Sequence, residues 1–152
     1  MGTYVSIEDC KINIRRQNFK SACDHLLSTS FLEENENMSG FSSEKGKITK
    51  RYYAWVDMTS LKNSLKQGDL AAVFKNFGFQ VYIQDGNIVE LAYNQKTGDE
   101  EYLLYSLREY FDEGDYIQWT GEDGDSWRIL FDDASMHIQR PSVTWNTFEI
   151  RK

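Results

Sequence analysis

The spacing of apolar residues changes several times along this chain, and each change marks an element. Tyr4, Val5, Ile7, Ile12 and Ile14 suggest an opening strand that ends where Arg15 and Arg16 begin a polar stretch. Phe19, Ala22, Cys23, Leu26 and Leu27 follow at i, i+3, i+4, i+7 and i+8, the stripe of an amphipathic helix with Cys23 turned inward. Residues 28–49 are rich in Ser, Asn, Glu, Gly and Lys and read as the longest loop, pinned in places by Phe31, Leu32, Met38 and Phe41. Residues 51–57 (RYYAWVD) are the most strand-like run of the first half. Leu70, Val73, Phe74 and Phe77 predict a short helix capped by Asp69 and stopped at Gly78. Phe79, Val81 and Ile83, then Ile88, Val89, Leu91 and Tyr93, flank Asp85-Gly86-Asn87 as a β-hairpin.

Thr97-x-x-Glu100 has the form of a capping box and opens a third helix, with Leu103, Leu104, Leu107, Tyr110 and Phe111 on one face and Gly114 at its end. Tyr116, Ile117 and Trp119 lead into a turn at residues 121–125, and Trp127, Ile129 and Phe131 return in alternation. Two short strands are expected at 136–139 and 143–150. The order β-α-β-α-β-β-α-β-β predicts an α+β fold, a mostly antiparallel sheet with about three helices on one face. The second and third helices each precede a glycine and a hairpin, which hints at a repeated αββ unit. Residues 1–152 are read as a single domain.

Composition narrows the class. Apolar residues make up 40% and aromatics 14%, too many for a disordered chain. No apolar run approaches the roughly 20 residues that span a bilayer. The first residues lack a signal-peptide pattern, so a cytoplasmic location and no membrane partner are expected. Cys10 and Cys23 do not form a disulfide framework. Charge changes the picture more. The net charge is −7, yet residues 85–133 hold fourteen carboxylates against three cations, while the flanks are mildly basic. Such an imbalance suits a cationic partner or repels nucleic acid; its bland counterpart is a solubilising face.

Asp112, Glu113 and Asp115 after the third helix, with Glu122, Asp123 and Asp125 at the hairpin tip, are the candidate partner-binding residues. Carboxylates on such edges compete with phosphates for grooves lined by Lys and Arg. Asp123-Gly124-Asp125 with Glu122, Asp132 and Asp133 offers oxygen ligands but not the spacing of an EF-hand loop. Cys10, Cys23 and His25 hold zinc only if the fold gathers them, and Cys23 and His25 face different ways on a helix. No metal or other cofactor is expected. Neither His25, His137 nor Ser126 sits in a nucleophile motif, and no phosphate-cradling glycine loop occurs, so no enzymatic activity is expected.

Trp119 and Trp127 are surrounded by acids, which disfavours direct nucleic-acid binding. Core packing is expected for Trp55 and Trp127, and Trp119 and Trp127 are expected to pair across their hairpin. Arg128 is expected in a carboxylate pair, with Asp57 as a candidate partner. Lys45, Lys47, Lys50 and Arg51 form a basic patch.

Tyr52-Tyr-Ala-Trp-Val-Asp57, Gln84-Asp-Gly-Asn-Ile-Val89, Gly98-Asp-Glu-Glu101, and Asp115-Tyr-Ile with Gly121-Glu-Asp-Gly-x-x-Trp127-Arg128 occur in that order. Together they resemble a family of small acidic proteins, mostly uncharacterised, encoded by phages and prophages. The resemblance covers roughly residues 3–131 and departs in the 28–49 loop and from Asp132 onward. It implies a mobile-element protein acting in the bacterial cytoplasm, where small acidic folds often block host defence nucleases. The expected function is therefore a non-enzymatic, anti-CRISPR-like inhibitor whose acidic face binds a basic nucleic-acid groove of a CRISPR nuclease complex. A phage structural or regulatory interaction protein, and a metal-binding domain, are the alternatives.

Overall fold

The computed structural model describes residues 3–150. In chain order the elements are β1 (Tyr4–Lys11), α1 (Phe19–Ser28), β2 (Gly40–Glu44), β3 (Lys47–Tyr52), α2 (Met58–Lys66), α3 (Leu70–Asn76), β4 (Gln80–Gln84), β5 (Asn87–Ala92), β6 (Asn94–Lys96), α4 (Glu100–Ser106), β7 (Tyr116–Gly121), β8 (Ser126–Asp132) and β9 (Ser135–Gln139). The fold is α+β. Its main sheet is five-stranded in the order β6-β1-β7-β8-β9, and β2–β3 and β4–β5 are separate hairpins. All the pairings are antiparallel. The β4–β5 hairpin hangs on the β6 side of β1. Ile7 donates its N–H to the Tyr93 carbonyl at 2.9 Å, and Ile14 and Ile88 exchange backbone hydrogen bonds.

Alternation decides what is buried. Ile117 and Trp119 on β7, with Ile129 and Phe131 on β8, face one core together with Ala22, Cys23 and Leu26 of α1, Leu61 and Leu65 of α2, Leu70, Val73 and Phe74 of α3, and Leu103 and Leu104 of α4. Phe31, Tyr53, Phe77 and Tyr102 pack with ring centroids 5.2–6.3 Å apart. Fully burying one such side chain contributes about 1.5–3 kcal/mol. The opposite side of the sheet is a polar lattice. Thr120 and Gln118 donate to Glu8 at 2.7 and 3.2 Å, Tyr116 donates to Asp9 at 2.8 Å, and Arg128 donates to Gln118 at 2.7 Å.

Several expectations are corrected. The 51–57 strand is displaced: β3 ends at Tyr52, and the chain turns through Tyr53, Ala54 and Trp55. Trp55 is 69% exposed and has φ +59°, so it is no core residue. The 28–49 stretch is partly ordered, by a short 3-10 turn at Ser30–Leu32 and by the β2–β3 hairpin. Helix α2 was not anticipated. Asp57 caps it by accepting from the N–H groups of Thr59 and Ser60 at 3.0 and 3.2 Å, and therefore does not partner Arg128. Helix α4 starts later than the capping box implies: its N-cap is Asp99, and Glu100 instead folds back to accept from Gly98 N–H and the Thr97 hydroxyl. Residues 143–150 form no strand. Among the described residues there are four α-helices, where about three helices were expected. The α1 stripe, the Asp69 cap, both expected hairpins and β9 are present as expected.

Candidate functional site

The carboxylates of residues 85–133 separate into three groups with different surroundings. Asp99, Glu100 and Asp115 are buried. Asp99 accepts the Ser39 N–H and hydroxyl and the Ala54 N–H, at 2.8, 2.9 and 2.8 Å. Asp115 accepts the N–H groups of Asn13 and Asp112, at 3.2 and 2.9 Å, and so fixes the bend between α4 and β7. Burial raises both carboxyls above the ordinary aspartate value, against the hydrogen bonds that favour the charged form. These groups tie loops together.

Two further carboxylates already have cationic or ionisable neighbours. Asp112 takes a bidentate pair from Arg15, at 3.1 and 3.2 Å, and Glu109 lies 3.4 Å from His25. Arg128 has a different partner from the expected one: its guanidinium donates to Gln118 and lies 4.3 Å from the centre of the Tyr116 ring.

The outward acids gather at the two ends of β8. At the β7–β8 turn, Gly124 adopts φ +85° and its N–H donates to the Gly121 carbonyl at 3.0 Å, while the Gly121 N–H donates to the Asp125 carbonyl at 2.9 Å. That closed turn leaves the side chains of Glu122, Asp123 and Asp125 exposed. At the other end, Asp133 and Ala134 turn the chain with φ +50° and +59°. There Glu113 lies against Asp132, and the hydrogen bond between them, the charge on Asp132 and that on Asp133 hold the Glu113 carboxyl above the usual glutamate value. The seven residues of β8 separate the clusters by roughly 20 Å at about 3.3 Å per residue. Among the described residues, none of these six acids makes an ion pair.

Of the six residues expected to bind a partner, the fold thus groups Glu122, Asp123 and Asp125 and exposes Glu113 at the opposite pole. Asp112 is occupied by Arg15 and Asp115 is turned inward. Asp132 and Asp133 complete the second cluster; the sequence signal for it was the acidic turn between two alternating strands. Trp119 and Trp127 do pair across the β7–β8 hairpin, with rings nearly parallel at 5° and centroids 6.4 Å apart.

Other chemistry is sparse. Among the described residues, no three His, Cys, Asp or Glu side chains gather as a metal site requires. Burial pushes the Cys10 thiol up to about 11 and that of Cys23 up to about 12, away from the reactive thiolate. Lys45, Lys47, Lys50 and Arg51 lie on or beside the exposed β2–β3 hairpin, where Arg51 donates its backbone N–H to Glu34 and its guanidinium to the Met38 carbonyl. No helix of the described residues is long and apolar enough to cross a membrane. No protein-family model, curated protein or solved structure matches the chain.

Proposed function

We propose that this chain is a phage-type, non-enzymatic inhibitor that sets its outward acids into the lysine- and arginine-lined nucleic-acid groove of a bacterial defence effector, a CRISPR nuclease complex. One observation carries the reading: two acid clusters without ion-pair partners among the described residues, held roughly 20 Å apart by the β8 ladder. β8, paired on both sides, fixes the spacing of the turns that carry these acids, so the two clusters need not be brought into position on binding. Each carboxylate stands in for a backbone phosphate, and attraction to a cationic groove weakens with salt as nucleic-acid binding does. Occupying the groove excludes target DNA or guide RNA by direct competition.

The test mixes the purified chain with guide-loaded nucleases of several CRISPR types and measures target cleavage. Dose-dependent loss of cleavage in at least one system, relieved by excess target DNA, is the expected result. Undiminished cleavage in every system at saturating concentration overturns the proposal.

A further inference from the structure

Residues 143–150 (VTWNTFEI) have the β-branched and aromatic composition of a strand, yet lie outside every strand. Val143, Trp145, Phe148 and Ile150 are 78, 92, 92 and 82% exposed. Single exposed apolar residues are ordinary, but this density in one short segment marks an interaction surface. Val143 and Trp145 alternate, as do Phe148 and Ile150, with a one-residue offset at Asn146 and Thr147 of the kind a β-bulge absorbs.

The same chain carries a matching acceptor. β9 pairs with β8 on one side only, and its outer edge carries the unpaired backbone groups that template another strand. Ile138 on it is 43% exposed. Only Arg140, Pro141 and Ser142 separate residues 143–150 from β9. Pro141 has a fixed φ and no N–H, which opposes the tight primed turn needed to fold back onto its own β9. A short, stiff connection of this kind favours exchange with a second molecule.

We propose that residues 143–150 add as an antiparallel strand to the outer edge of β9 in a second copy of this chain, reciprocally, giving a twofold dimer. Trp145 and Phe148 each supply about 150–250 Å². Counted over two copies with Val143 and Ile150, the contact reaches the range of roughly 1,200–2,000 Å² of a stable interface. A second copy is the occupant because one chain supplies both halves, the open edge of β9 and the exposed apolar segment, and the area they bury reaches what a stable dimer needs. The Glu122, Asp123 and Asp125 turn stays free in this dimer.

Sedimentation velocity of the full chain over a concentration series tests this without any nuclease, so the outcome is independent of the inhibitor reading. The expected result is a concentration-dependent species of twice the 17.8 kDa chain mass, with amide exchange at residues 143–150 slowed only where the dimer is populated. W145S/F148S is expected to stay monomeric with unchanged circular dichroism, since both side chains are exposed. A wild-type monomer throughout the series, or a dimer that W145S/F148S leaves intact, overturns the proposal.

Discussion

The carboxylate of Asp99 accepts both the N–H and the hydroxyl of Ser39, at 2.8 and 2.9 Å. Its second oxygen also takes the Ala54 N–H at 2.8 Å. One buried side chain at the start of α4 therefore gathers the two ends of the β2–β3 excursion. Asp99→Ala leaves these donors without an acceptor and is expected to cost about 2–4 kcal/mol, with Asp99→Asn costing less because it keeps one oxygen. Urea denaturation of the three proteins measures this order.

Stability should also depend on pH through Asp99 and Asp115. Burial raises both carboxyls in the folded state, so the folded chain binds protons more readily than the unfolded one. Their contribution is full below the ordinary aspartate range and is lost as pH rises through the raised folded values. The urea midpoint is expected to fall with rising pH in that window. The fall should be shallower in Asp99→Asn and Asp115→Asn than in the parent. Midpoints across the acid to neutral range check the sign.

Trp55 separates backbone strain from side-chain packing. Its φ of +59° is a left-handed conformation, and its ring lies over Gly98. Trp55→Ala and Trp55→Gly both remove the ring, but only glycine relaxes the backbone. Glycine is expected to be the more stable of the two by about 1 kcal/mol, the left-handed penalty of an L-residue less glycine's entropy cost. Paired denaturation curves decide it.

The Arg15–Asp112 pair is half-exposed, with side chains 48% and 39% accessible. A double-mutant cycle with alanine at both positions is expected to give a coupling below about 1 kcal/mol, decreasing with salt. Its main consequence is electrostatic: Asp112 is already neutralised and contributes little to any partner contact.

Elements with a dense periodic signal were legible in the sequence. The α1 stripe, the Asp85-Gly86 hairpin and the Trp119–Trp127 hairpin each follow from local spacing and turn chemistry. Helix α2 escaped because its buried apolar residues are only Leu61 and Leu65; the Asp57 cap with that i, i+4 pair was the available signal. Trp55 has the local composition of a strand, but Asp99, distant in sequence, captures the Ala54 N–H and forces a turn. The same limit applies to the site. A sum of charges counts residues without directions, and it could not show that Asp115 points inward or that Arg15, 97 residues away, meets Asp112.

The most direct measurement compares the parent with E113K/E122K/D123K/D125K in equilibrium binding to an inhibited, guide-loaded nuclease across a salt titration. All four side chains are exposed, so the fold is retained. If the outward acids carry binding, the variant loses more than about tenfold in affinity at low salt, and its dependence on salt becomes shallower. Equal affinity and equal salt slope in the two proteins would contradict it.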